Sequence, residues 1–335
     1  MSDVRPGLNP DRLERLMTAA VARCELDLAG FVVLTEAATG PYVVTPILAA
    51  LAGADRVFAM TRPSRHGTVA EVAGQTFTLA GRLGVADRIR VITEKSPQVI
   101  EQADIVTNSG HLRPLDSDTV RCMKSSAVIP LMYEAWELRP GEVDLTACRA
   151  KGIRVAGTNE RHPNVDVLSY LGVMAVKLLA DAGVAVYRSR LVVLCDNPFA
   201  RHLELGLKSA GAEVTSVAEL SRALDGEAPD AILVALEPGS RTAISSAEVS
   251  RISQAWPGTV LAQLWGAIDR DAAAAHNLMC WPAVAPAPGH MGILPSAVGP
   301  EPVIRLQAGG LKVGEVLLRV AADRGAVGWE YVDAI

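Results

Sequence analysis

Leu191-Val-Val-Leu-Cys-Asp-Asn-Pro-Phe-Ala-Arg-His-Leu203 reads as an apolar strand, a short turn and the start of a helix. This is the opening of a βαβ unit, the place where a dinucleotide-binding unit carries G-x-G-x-x-G. Here the three glycine positions fall on Cys195, Asn197 and Ala200. Asn197 can make the tight left-handed turn that glycine usually makes, but Pro198 removes an N–H donor, so a pyrophosphate meets a poorer nest. The layout predicts a fold, and a fold alone does not assign a function.

Outward from this stretch, apolar runs alternate with helical ones. Toward the N-terminus the strand-like runs are Phe31–Thr35, Arg56–Met60, Ile89–Ile92, Asp104–Thr107, Ala127–Met132 and Ile153–Ala156. Helical spacing covers Asp11–Leu26, Thr45–Ala52 and Thr68–Leu83, and a long helical stretch runs from Asn164 to Ala182. On the C-terminal side the strands are Leu191–Leu194, Glu213–Val217, Ala231–Leu236, Thr259–Leu264 and Leu278–Trp281. Pro282–Pro302 reads as an extended loop, and Val303–Ala322 as a helix interrupted at Gly309-Gly310. The alternation predicts an α/β protein with two Rossmann-like or flavodoxin-like domains, each built on a parallel sheet. The first spans residues 1–182 and is completed by a returning C-terminal helix, 303–335; the second, a nucleotide-binding domain, spans 183–302.

The 335 residues are half apolar and carry a net charge of −5 with both signs interspersed. That excludes the basic face of a nucleic-acid binder and the polybasic segment of a membrane binder. Five scattered cysteines, Cys24, Cys122, Cys148, Cys195 and Cys280, form no C-x-x-C pair, so no metal site is expected. Reduced thiols and the absence of a signal-peptide plan lead to the expectation of a soluble cytoplasmic protein.

The order of segments resembles the D-isomer-specific 2-hydroxyacid dehydrogenases. The resemblance is carried by Glu142-Val-Asp-Leu-Thr-Ala-Cys-Arg-Ala-Lys-Gly-Ile-Arg-Val-Ala-Gly-Thr-Asn159, by Asp230-Ala-Ile-Leu-Val-Ala-Leu-Glu-Pro-Gly-Ser-Arg-Thr242, and by Trp256-Pro-Gly-Thr-Val-Leu-Ala-Gln-Leu-Trp-Gly-Ala-Ile-Asp269. His290, in Pro288-Gly-His-Met-Gly292, sits near that family's histidine. The resemblance implies NAD(P), a small hydroxy or oxo acid as substrate, hydride transfer in an interdomain cleft, His290 as acid/base, and a homodimer. It also exposes departures. The family's catalytic arginine aligns with Trp265, the glutamate partner of the histidine has no counterpart, and no acid ends the strand at Ser216–Val217. Cofactor-facing candidates are Cys195, Asp196, Asn197, Pro198, Phe199 and Ala200 in the turn, with Leu236, Gln263 and Trp265 at later strand ends.

Ligands of parallel α/β sheets sit beyond the carboxyl ends of the strands. In the first half those ends are Thr35-Glu36, Thr61-Arg62-Pro-Ser64-Arg65-His66, Thr107-Asn108-Ser-Gly-His111, Tyr133-Glu134-Ala-Trp136-Glu137 and Thr158-Asn159-Glu160-Arg161-His162. Glu36, Arg62, Arg65, Asn108, His111, Tyr133, Asn159 and Glu160 are therefore substrate-binding candidates. His162 and His111 rival His290, and Glu134 or Glu160 can orient such a histidine. Arg305 can replace the missing carboxylate clamp, since a guanidinium grips a carboxylate with two parallel bonds. The loop Thr35–Tyr42 opens a helix whose N–H groups attract anions, and Arg62, Ser64 and Arg65 suit a 2′-phosphate, so the first half can itself hold a nucleotide. The run Ala54–Asn108 loosely resembles the first half of nucleoside-cofactor domains, methyltransferases included, which adds S-adenosylmethionine as an alternative. Three functions stay open: an NAD(P)-dependent oxidoreductase, a non-redox group-transfer or lyase enzyme, and a non-catalytic ligand-binding protein.

Overall fold

A computed structural model describes residues 5–237, 244–321 and 327–335. Positions 238–242 of the family-like segment ending at Thr242 lie outside the described residues. In chain order the strands are β1 (Val32–Glu36), β2 (Arg56–Met60), β3 (Ile89–Ile92), β4 (Ile105–Val106), β5 (Val128–Pro130), β6 (Arg154–Thr158), β7 (Arg190–Leu194), β8 (Glu213–Val217), β9 (Ala231–Ala235), β10 (Val260–Trp265), β11 (Cys280–Trp281) and β12 (Val332–Asp333). The helices are α1 (Pro10–Arg23), α2 (Val44–Leu51), α3 (Val69–Arg82), α4 (Pro97–Ile100), α5 (Ser117–Cys122), α6 (Leu145–Lys151), α7 (Leu171–Asp181), α8 (Ala200–Ser209), α9 (Ser246–Ala255), α10 (Arg270–Ala275) and α11 (Glu301–Ala321). No helix among the described residues is long and apolar enough to cross a membrane.

The chain divides into two compact units, Met1–Val167 with Gly299–Ile335, and Leu168–Val298. The sequence boundary at 182/183 differs from this partition in the fate of α7, which packs on α8 inside the second unit. Gly172 and Gly206 make that packing possible: a Cβ built on Gly206 would lie 2.3 Å from the Gly172 Cα. The helix also starts later than its apolar spacing suggests. Asp166 turns the chain with a φ of 47°, and a short 3-10 helix, Leu168–Tyr170, leads into α7.

The first unit holds a seven-stranded sheet in the order β3-β2-β1-β4-β5-β6-β12. All pairings are parallel except β12 with β6. Strand order reverses between β1 and β4, and this 3-2-1-4-5-6 sequence is the order of dinucleotide-binding sheets. The second unit holds five parallel strands, β8-β7-β9-β10-β11. Renumbered within the unit this is 2-1-3-4-5, the flavodoxin-like order, with its reversal between β7 and β9. The sequence reading gave the nucleotide role to the second domain; the strand order places the dinucleotide-type sheet in the first. Locally both begin with the same strand–turn–helix layout, so sequence does not separate them.

Helix boundaries follow side-chain chemistry. Thr68 with Glu71 and Ser245 with Glu248 form capping boxes, while Asn9, Asp116, Asp144 and Asp269 accept first-turn N–H groups. Gly152, at φ 75°, stops α6 in the left-handed conformation. Gly309-Gly310 does not interrupt α11. These glycines and Gly314 bring the helix axis close to Val165, Thr158, Met132 and Ile105, where a Cβ would come within 3.0 Å of a neighbouring side chain. On the same helix Lys312 bonds to the Glu25 carbonyl and to Glu315, and Arg319 bridges Glu315 to Asp27. This polar network ties the returning helix to the end of α1.

Candidate functional site

The carboxyl edge of the first sheet gathers most of the polar side chains. Glu36 is the last residue of β1 and is buried. Its Oε2 accepts the His111 backbone N–H at 3.3 Å, spanning the reversal point from β1 to the loop after β4. Burial pushes this carboxyl above its ordinary value, against the weaker pull of that N–H and of Arg113. Thr35, Thr107 and Ser109 form a buried hydroxyl chain with 2.9 Å links beneath the same point. His111 is half-buried; desolvation, then the charges of Arg62 and His66, lower its pKa, so the imidazole is neutral at neutral pH. Arg62 is exposed and enters no ion pair among the described residues.

The turn after β1 is built for a close approach. The Ala37 N–H still bonds to the Met60 carbonyl at 2.8 Å. Beyond it, among the described residues, no acceptor meets the amides of Ala38, Thr39 and Gly40. Gly40 has φ 63° and open space where a Cβ would be. Thr39 Oγ1 donates to the His66 carbonyl, joining this turn to the loop after β2. A cavity of about 520 Å³ opens beside it, lined in part by Thr39, Gly40, Val43, His66, Gln75 and Thr78. Two buried side-chain atoms at the same edge lack a partner, Thr61 Oγ1 after β2 and Asn108 Nδ2 after β4. Sequence reading missed Lys95, which donates to the Leu112 carbonyl at 3.0 Å and so holds the loop that carries His111. Its position just after β3 was the available signal.

The remaining first-half candidates do other work. Tyr133 donates to Glu142, which also pairs with Arg113 and Arg139. Asn159 donates to the Glu330 carbonyl and accepts the Arg161 N–H. His162 stacks on Tyr331 with ring centroids 3.8 Å apart and accepts the Asn164 N–H. Glu134 and Glu160 were expected to orient a histidine. Glu134 instead accepts the Trp136 indole N–H at 2.7 Å and pairs with Arg161 at 3.2 Å, and Glu160 hydrogen-bonds Glu137. Arg305, the expected carboxylate clamp, is paired with Asp166 and Glu301, each at 3.6 Å. Arg65 donates to the neighbouring His66 ring in the exposed loop.

In the second unit the expected cofactor turn is occupied by its own side chains. Asp196 Oδ1 accepts the Glu237 N–H at 2.9 Å. Asn197 accepts the Phe199 N–H and donates to the Ala235 carbonyl. Cys195 is buried with its thiol on Asn197. Pro198 is exposed, and Ala200 starts α8. Phe199 packs on Trp265 with centroids 5.4 Å apart. Leu236 is buried, and Gln263 is held by Gly266 and Arg270. His290 is exposed, 3.2 Å from the Pro288 carbonyl of its own loop. These residues do not fit a pyrophosphate: the turn lacks glycine, one N–H is missing, and a carboxylate stands among the donors.

No family model matches the chain, and no curated protein sequence matches it. Solved structures do. The A chain of dipicolinate synthase from Bacillus halodurans matches with a TM-score of 0.54 at 11% identity, over 88% of this chain and 99% of that one. Its counterpart from Bacillus subtilis matches with a TM-score of 0.52 at 13% identity, over 90% and 98%. The pyruvate reductase of Chlamydomonas reinhardtii matches with a TM-score of 0.51 at 12% identity, over 90% and 99%. At these identities the likeness is one of fold: a mixed α/β chain with two mostly parallel sheets.

Proposed function

We propose that the protein is an NAD(P)-dependent oxidoreductase acting on a small hydroxy or oxo acid, with its nucleotide seated at the carboxyl edge of the first unit. The observation that carries the reading is the 3-2-1-4-5-6 strand order together with the amides of Ala38, Thr39 and Gly40 at its reversal point, which meet no acceptor among the described residues. Consecutive free N–H groups at a helix start favour a phosphate. Arg62, at the end of β2, stands where a 2′-phosphate is recognised, which selects NADP over NAD. The cavity beside Thr39 has the size of a small-molecule site. The bound nicotinamide supplies or accepts the hydride. His111, kept neutral, takes or returns the proton of the substrate hydroxyl, and Glu36 holds the backbone of His111 in place. The fold likeness to a pyruvate reductase agrees with a small acid as substrate. A homodimer completes the reading and is checked by sedimentation velocity.

The test is calorimetric titration with NADPH, NADH and S-adenosylmethionine, followed by nicotinamide absorbance with small 2-oxo acids. NADPH binding is expected, and Arg62→Ala should weaken it by about 10- to 100-fold, the worth of a charge-assisted hydrogen bond, with NADH unchanged. Binding of the methyl donor alone replaces redox with group transfer, and no response to either nicotinamide nucleotide sinks the reading.

A further inference from the structure

We propose that the reversal point of the second unit is closed by its own acid: Asp196 stands in for a ligand phosphate, and this unit keeps a nucleotide-type fold without accepting a pyrophosphate. The inference is independent of the seat assigned to the first unit.

Hydrogen-bond register makes the two turns comparable residue by residue. The Cys195 N–H bonds to the Val217 carbonyl at 2.9 Å just as the Ala37 N–H bonds to Met60. Cys195 therefore corresponds to Ala37, and Asp196, Asn197 and Pro198 to Ala38, Thr39 and Gly40. Among the described residues the amides of Ala38, Thr39 and Gly40 meet no acceptor; at the corresponding positions the second unit adds a carboxylate and an amide side chain, and Pro198 removes the N–H that Gly40 offers.

Each replacement closes the site. Asp196 Oδ1 reaches across the reversal point to the Glu237 N–H after β9 and also accepts from Asn197 Nδ2 at 3.1 Å. A phosphate seated between the two strand ends needs that donor and meets a like charge in its place. Asn197 fills the rest of the turn: Oδ1 takes the Phe199 N–H at 3.1 Å, Nδ2 is held by the Ala235 carbonyl at 2.7 Å, and its own carbonyl takes the Ala200 N–H. Of the three residues entering α8, Pro198 has no N–H and the other two N–H groups are spent. Farther along the same edge the chain lies directly on β10. The Gly292 N–H bonds to the Leu264 carbonyl at 2.8 Å, and a Cβ there would sit 1.9 Å from the Gln263 carbonyl oxygen. Trp265 and Phe199 pack against each other beneath. At this edge the N–H groups of Phe199, Ala200, Glu237 and Gly292 are all taken by protein acceptors.

Hydrogen exchange on the full chain, with inorganic pyrophosphate and NADH as probes, tests this. In the wild type neither probe should slow exchange in peptides covering 195–207 or 231–237. Asp196→Ser should expose the Glu237 amide, and pyrophosphate should then restore its protection, binding at least about tenfold tighter than to the wild type. Asp196→Asn is nearly isosteric and guards against misfolding; it should keep Glu237 protected and gain affinity to a smaller degree through loss of charge alone. Wild-type protection at 195–207 by either probe overturns the inference. So does the absence of any gain in both variants. Exchange at residues 37–43 reports separately on the seat in the first unit, so failure of that reading is distinguishable.

Discussion

Glu134, Glu137 and Glu160 meet at the ends of β5 and β6 with two guanidinium groups, Arg139 and Arg161, beside them. Burial, then the mutual charge of the carboxyls, drives Glu160 up, and Glu137 is pushed up to about 7. The sign follows from linkage. An unfolded glutamate ionises near its ordinary value, about 4.3, while the folded pair still holds its proton. From about pH 4.5 upward the native state thus binds more protons than the unfolded chain, and stability falls as pH rises, through about 7 for Glu137. The loss should be on the order of 3 kcal/mol, and Glu160→Gln should flatten it; urea unfolding at pH 5 and pH 8 compares the two chains. The sequence placed Glu134 and Glu160 at strand ends, since that needs only strand boundaries. Their partners, Trp136, Glu137 and Arg161, pair within and across the two loops that carry them, so the histidine expected beside them was not the group found there. Glu36 and His111 were legible for the same reason as the glutamates: both stand where an apolar run stops.

At the scale of elements, glycine decides how near two segments lie. Gly172 in α7 and Gly206 in α8 face each other with no side chain able to yield, because the atoms a Cβ would meet are backbone. Gly206→Ala should cost about 1–3 kcal/mol, the usual range for overpacking. Gly74, inside α3, has nothing within 4 Å of a Cβ. Gly74→Ala should stabilise the chain by about 0.5–1 kcal/mol through helix propensity and a less free unfolded state. Denaturation midpoints that move in the same direction for both substitutions would refute this account. Apolar runs made most strands legible to within two or three residues, and helical spacing did the same for α1, α2, α3 and α11. What sequence left open was contact: the glycines of α11 suggest an interruption of the helix, and the structure uses them instead for close approach to Met132, Val165 and Ile105.

For the whole molecule, alternation of apolar runs predicted parallel sheets, but strand order is set by which strands meet across long stretches of chain. The same strand–turn–helix layout opens both units, so the dinucleotide role was first given to Leu191–Leu203, and only the sheet orders separate the two. Each unit also builds its own apolar core. One pair of clusters draws on residues such as Met17, Ile47, Phe58 and Ile129, and the other on residues such as Leu179, Leu203, Leu233 and Trp256. Substitutions that share no packing partner add in free energy to within about 0.5 kcal/mol. Gly206→Ala acts on the second set of clusters and Glu160→Gln on a polar corner of the first unit. The double variant should therefore show the sum of the single effects at pH 8, and its pH dependence should match that of Glu160→Gln alone. An interaction energy above about 1 kcal/mol in this cycle would mean that the two cores are energetically one, and the separate treatment of the two reversal points would have to be given up.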